Sequence, residues 1–242
     1  MRYWNIILLI SIAGCNREDA PDCFQLGGDF AREYRELEGF NKIELRDYIQ
    51  YELTQSNQYA IEISGPGNLL NDIITQVDNG KLTVTNNNTC NFVRSYKRKI
   101  YVRIYAPSFG EIDHYGSGDV VSTDTLFQSR FIMNFRHATG QTNLKLHCDS
   151  VSLLMHTGSA DCIARGISNT TELFANGLGF LDAADLITNN VFIRQSSIQT
   201  LKARASGYMF CLIQSRGDVI MYDCPEQVDL EQSGSGELIC VQ

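Results

Sequence analysis

Gly217-Asp218-Val219-Ile220 and Gly236-Glu237-Leu238-Ile239 lie 19 residues apart and share one pattern: a small residue, an acid, then two apolar residues. A looser form of the pattern extends backwards at the same spacing through Ile198-Gln199-Thr200-Leu201, Gly179-Phe180-Leu181-Asp182 and Ala160-Asp161-Cys162-Ile163. It reaches Gly140-Gln141-Thr142-Asn143 and Gly118-Asp119-Val120-Val121. Its second positions fall at 119, 141, 161, 180, 199, 218 and 237, so the step settles at 19 residues. A fixed period of this size marks a solenoid, in which one coil alone cannot bury its apolar face.

Other columns keep the same phase. Twelve residues after the anchors stand Phe131, Leu153, Leu173, Phe192, Cys211 and Leu230. One residue after them stand Val120, Thr142, Cys162, Leu181, Thr200, Val219 and Leu238. Six after the later anchors stand Ile167, Leu186, Ala205 and Cys224. Gly, Ser, Asn and Asp interrupt the repeat too often for helices. The runs between them, such as Val191-Phe192-Ile193, are β-prone. A coil of 19 residues traced as strand is ~60 Å long, enough for a closed coil with three short faces. The Leu and Asn columns of leucine-rich repeats are missing. The expectation is an all-β chain: a parallel β-helix, or β-solenoid, over 108–242, with a strand-rich region before it.

That region, residues 30–107, reads as antiparallel-like strands of the same head domain. Tyr59-Ala60-Ile61-Glu62-Ile63 forms one strand, and Asn79-Gly80 is a turn ahead of Leu82-Thr83-Val84. Ile100-Tyr101-Val102-Arg103-Ile104-Tyr105 alternates until Pro107 stops it.

The N-terminus reads as a targeting segment. Arg2 precedes a short apolar run, and Ile12-Ala13-Gly14-Cys15 resembles a bacterial lipobox. That resemblance implies cleavage after residue 14 and lipid on Cys15, with 15–29 as tether and entry segment. Asn16-Arg17-Glu18-Asp19 resembles the acidic signal that sends some Bacteroidetes lipoproteins to the cell surface. The expected location is the outer membrane, surface-exposed, with the periplasmic face as the alternative.

The formal charge is −8, which argues against nucleic acid as a partner. The basic cluster Arg94, Lys97, Arg98 and Lys99 runs into an alternating strand and reads as its solvated face. Of eight cysteines, Cys23 and Cys90 form the expected disulfide. Both lie outside the apolar columns, and export permits oxidation. Cys162, Cys211 and Cys224 read as small core hydrophobes.

The order Glu38-Gly39-Phe40-Asn41-Lys42-Ile43, Gly67-Asn68-Leu69-Leu70, Asp78-Asn79-Gly80-Lys81-Leu82, Ile104-Tyr105-Ala106-Pro107 and Gly116-Ser117-Gly118-Asp119-Val120 resembles the head GIN domain of auto-transporter adhesins. The resemblance spans about residues 38–242. It implies a β-helix-like fold in the cell envelope and brings no catalytic residues. The chain shows no porin-like translocator, a departure from the auto-transporter half of that label.

Three constellations are candidates for chemistry. Asp119, Asp161, Asp218 and Glu237 share the anchor column, where stacked carboxylates could hold Ca²⁺. Gln141, Phe180 and Gln199 interrupt that column, so turn chemistry is the simpler reading and no metal or other cofactor is expected. His114, Arg136 and His156 fall five residues before an anchor, with His137 alongside. Such a strip suits acidic sugars, and an enzyme acting on polysaccharide is the alternative function. It requires an acid and a base within reach of one another, and no paired-carboxylate or Ser-His-Asp pattern stands out. Tyr115, Tyr208 and Tyr222, with His156, are the candidate ligand contacts, because tyrosine joins an apolar ring to a polar tip. Phe180 and Tyr105 are further candidates, while most phenylalanines read as core.

The expected function is non-catalytic: an adhesin or ligand-binding head tied to the membrane by a lipid, with a glycan or a host or envelope protein as ligand. A structural subunit of an envelope complex is the third reading.

Overall fold

A computed structural model describes residues 28–88 and 99–241. The lipobox with Cys15, the Cys23–Cys90 pair and Arg94, Lys97 and Arg98 lie outside the described residues. The chain opens with β1 (Phe30–Glu36), β2 (Lys42–Leu45), β3 (Gln50–Gln55) and β4 (Ala60–Pro66), followed by the one-turn helix α1 (Gly67–Leu70). Next come β5 (Ile73–Asp78), β6 (Lys81–Asn86), β7 (Tyr101–Ala106), β8 (Glu111–His114) and β9 (Val120–Ser122). The long strands follow: β10 (Leu126–Phe135), β11 (Gln141–Met155), β12 (Asp161–Ala175) and β13 (Leu181–Gln195). The chain closes with β14 (Leu201–Arg204), β15 (Tyr208–Ile213), β16 (Val219–Tyr222), β17 (Gln227–Gln232) and β18 (Leu238–Val241).

All of these strands join one sheet. It forms a β-solenoid of about 7 turns, with parallel coils about 20 residues apart. Two parallel ladders run its full height, and a shorter one joins the start of β10 to the middles of β11, β12 and β13. The first joins β6, β2, β8 and the ends of β10, β11, β12 and β13 to β15 and β17. The second joins β7, β3, β9 and the beginnings of β11, β12 and β13 to β14, β16 and β18. A turn-rich third side closes each coil. There the anchor carboxylates have a defined role. Asp119, Asp161 and Asp218 each accept the N–H of the residue at the next coil's anchor: Gln141 at 3.0 Å, Phe180 at 3.1 Å and Glu237 at 2.9 Å. The acid column is therefore hydrogen-bonding stitchwork between coils.

The N-terminal region is only partly antiparallel. β1 with β4, β4 with β7, and β5 with β6 are antiparallel and close the base. β2 and β3 instead enter the parallel ladders, lying between β6–β7 below and β8–β9 above. The Asn79-Gly80 turn joins β5 to β6, and both residues have positive φ (48° and 73°).

The core runs through the coils as stacked side chains. Met133, Leu153, Leu173, Ile193, Cys211 and Leu230 form one column. Phe131 and Phe192, expected there, do not belong to it. Phe131 stacks on Val151, because the coil that begins at Asp119 is longer by two residues before its second strand. Phe192 is displaced by a bulge in β13, which shifts the register between Ile163 and Arg165. A one-residue shift turns a strand side chain to the opposite face. Phe192 is therefore 41% exposed, with Val191 and Ile193 buried. Leu201 replaces Thr200 in its column by the same logic. Ile167 pairs with Ile187 on the outside.

Cysteines are corrected in one place. Cys148, Cys162 and Cys211 are buried free thiols. Cys224 is exposed and forms a disulfide with Cys240, Cα to Cα 5.8 Å, which pins the last coil. That coil has no neighbour above it among the described residues, so Val228 and Leu230 are over 40% exposed.

Candidate functional site

Outward-facing positions of the first ladder make a surface of four columns. One holds Arg130, Ser150, Thr170, Asn190 and Tyr208; the next holds Ile132, Ser152, Glu172, Phe192 and Phe210. The third holds Asn134, Leu154, Phe174 and Arg194. Arg136, His156 and Asn176 follow at the strand ends, where backbone bonds link 156 to 135 and 176 to 155. Small Ser150, Ser152 and Thr170 sit among larger neighbours, and the difference in side-chain size leaves an open groove of about 740 Å³. Phe174, Phe192 and Phe210 line it, with Arg130, Arg194, Glu172 and His156.

The rings and charges are held in place. The Arg194 guanidinium lies 5.5 Å from the centre of the Phe174 ring. His156 meets the Phe174 ring edge-on at 5.6 Å, and its Nε2 is 3.2 Å from Asn134 Oδ1. Burial lowers the His156 pKa from its ordinary value; Arg136 lowers it further and Asp113 opposes. Ser152 donates to Glu172 at 3.1 Å. Phe192 packs edge-on against Tyr208 at 5.9 Å, and the Tyr208 hydroxyl donates to Asp229 at 2.7 Å.

The structure separates the four residues singled out as ligand contacts. His156 lines the groove and Tyr208 stands at its rim. Tyr115 lies elsewhere, its ring 5.4 Å below the Arg46 guanidinium. Tyr222 is on the second ladder, beside Arg204. The expected His114–Arg136–His156 column also breaks. His114 pairs with Phe135, one residue out of phase, and points into the core at 0% exposure. Neither of its ring nitrogens has a hydrogen-bond partner, and burial pushes its pKa down to about 4 against a weaker opposing effect of Asp119. Arg136 pairs with Asp113 at 3.4 Å.

The residues missed in sequence were Phe174, Phe192, Phe210, Arg130 and Arg194. The alternation Val191-Phe192-Ile193-Arg194 carried the signal: if 191 and 193 face the core, 192 and 194 face solvent. Among the described residues no group of His, Cys, Asp and Glu is arranged to hold a metal ion.

The family described as "Putative auto-transporter adhesin, head GIN domain" matches residues 39–225. A crystal structure of a "putative adhesin" from Bacteroides fragilis NCTC 9343 superposes with a TM-score of 0.81 at 21% identity, covering 88% of this chain and 97% of that one. A "putative adhesin" from Parabacteroides distasonis ATCC 8503 gives 0.66 at 14% identity, with 88% and 98% covered. A "Putative lipid binding protein" from the same strain gives 0.66 at 15%, with 89% and 98% covered. At these identities the likeness establishes the fold. The search of curated proteins finds no match.

Proposed function

Because the chain belongs to the head GIN domain family of auto-transporter adhesins, we propose that it is a non-catalytic binding head of the cell envelope. The ligand is held on the outer wall of the solenoid, and Cys15 anchors the chain by lipid to the outer membrane with the head outside the cell. The observation that carries this reading is the groove, whose aromatic rings and cations are fixed on paired strands rather than on loops. Its histidine is turned to an amide, Asn134, and its carboxylate to a hydroxyl, Ser152. Neither contact is an acid–base pairing of the kind hydrolysis uses. The names of the solved relatives, two adhesins and one lipid-binding protein, are consistent with a scaffold used for binding.

The test uses intact cells. Brief protease treatment is followed by blotting, alongside a periplasmic control. Rapid loss of this chain with the control protected is the expected outcome, together with reduced attachment to glycan- or matrix-coated surfaces in a deletion strain. Full protection, or unchanged attachment, contradicts the proposal.

A further inference from the structure

We propose that the groove binds an acidic oligosaccharide laid along the solenoid axis, its sugar faces against Phe174 and Phe192 and its anionic groups at Arg130 and Arg194. This assignment rests on the reading of the chain as a binding head and deepens it.

Charge complementarity is the first argument. Of the other arginines, Arg46 is paired with Glu44, Arg103 with Glu52, Arg136 with Asp113, Arg165 with Asp185 and Arg204 with Asp223, while Arg32 lies over the Phe30 ring and Arg216 has no ion pair among the described residues. Arg130 and Arg194 have no ion pair among the described residues, in a chain whose net charge is −8. Arg194 stacks on a ring instead, which leaves the donors of its guanidinium open. The one carboxylate lining the groove, Glu172, already accepts from Ser152 and has a second oxygen for a sugar hydroxyl.

Spacing supplies the second argument. Arg130 is on β10 and Arg194 on β13, three coils away, or about 14 Å along the axis at ~4.8 Å per coil. One anionic group cannot bridge them, so the ligand is a chain with charges at intervals. Nucleic acid, with a charge every ~1.7 Å of duplex, is too densely charged for two arginines on an acidic protein.

The floor decides between ligands of that description. Between the arginines lie the hydroxyl side chains Ser150, Ser152 and Thr170, with aromatic rings beside them. Hydroxyls match the donors and acceptors of sugars, and rings match the apolar faces of pyranoses. A peptide strand would need a free sheet edge. β11 and β12 are paired on both sides, so they offer it no backbone partners. An acyl chain would lie over hydroxyls and remain wet on its outer side, losing the burial that drives its binding.

The test is calorimetric titration of the full-length chain in detergent. The probes are an oligogalacturonate hexamer and a chondroitin sulfate hexasaccharide, with neutral maltohexaose and hexaglutamate as controls. The variants are Arg194→Gln and Phe192→Ala, both at exposed positions, with Arg165→Gln on the other ladder as reference; thermal unfolding by circular dichroism verifies the fold of each. At least one acidic saccharide binds, both controls bind at least about tenfold more weakly, and both groove variants weaken binding by about tenfold or more while Arg165→Gln does not. The inference is overturned if neither acidic saccharide binds, if maltohexaose or hexaglutamate binds as well, or if the groove variants match wild type. A chain that fails here yet still retains cells or matrix protein on a coated surface keeps its role as a binding head and loses only this ligand. Failure of both assays removes both.

Discussion

His114 gives the clearest quantitative prediction. Its side chain is fully buried between Leu45 on β2 and Phe135 on β10, with the Phe135 ring edge-on at 6.0 Å. Burial holds the imidazole neutral by lowering its pKa from 6.5 to about 4. In the unfolded chain the same ring protonates near 6.5. The folded form therefore binds fewer protons between these values, and stability is present above 6.5 and lost as pH falls towards 4. A gap of about 2.5 units is worth ~3.4 kcal/mol in full, of which ~2.5 kcal/mol is lost between pH 7.5 and 4.5. Carboxylates titrate too, so the assay is a difference. Urea unfolding of wild type and His114→Leu is followed by circular dichroism at both pH values. Wild type loses ~2.5 kcal/mol more than the variant on acidification, and at pH 7.5 the variant is no less stable by more than ~1 kcal/mol, because the two unpartnered ring nitrogens are removed with the ring. Equal losses in the two proteins would refute the reasoning.

Three further perturbations have defined outcomes. Gly166 in β12 has φ of +123°, and a Cβ there would overlap the Leu146 carbonyl oxygen; Gly166→Ala costs more than ~2 kcal/mol in urea unfolding, and a neutral result would show that the coils can separate locally. Replacing both Cys224 and Cys240 by Ser opens a loop of 16 residues, which lowers stability by up to ~3 kcal/mol. Hydrogen exchange should then speed up in 227–241 while β11 to β13 stay protected, and uniform acceleration would contradict a local clamp. Glu44 is nearly buried; burial raises its pKa, but bonds from Lys81 and Arg46 outweigh this and the net shift is downward. Glu44→Gln therefore destabilises by ~1–3 kcal/mol at pH 7, and the difference shrinks as pH falls through the lowered carboxylate range; a constant difference would mean that charge is not the cause.

The repeat was legible because a coil must return to the same place. A small residue ahead of the anchor recurs at most turns and an acid at four of them, as where Asp161 bonds to the next coil's amide and Cys162 enters the core. Column membership within a coil was less legible. A one-residue bulge near Ala184 leaves the period almost unchanged but inverts the facing of Phe192, while the two added residues before Phe131 move it to another column and keep it in the core. A separate one-residue difference, five residues from His114 to its anchor against six from its partner Phe135, puts His114 in the interior. The order of strands at the base was not legible at all, because β2 and β3 insert between pairs that follow them in sequence. The groove depended on that facing. Tyrosine chemistry pointed to Tyr115 and Tyr222, whereas the outward-facing rings that converge are Phe174, Phe192 and Phe210. Cys224 read as core because its column was apolar, although among the described residues nothing stacks above it to bury it.

The central claim is binding without turnover. Its most direct test is to hold acidic and neutral polysaccharides on a surface coated with the full-length chain, then elute them and measure both the amount retained and the chain length. The account predicts retention of ligand recovered at its original length, and the same length for whatever His156→Ala retains. Shortened products that disappear in His156→Ala would contradict it.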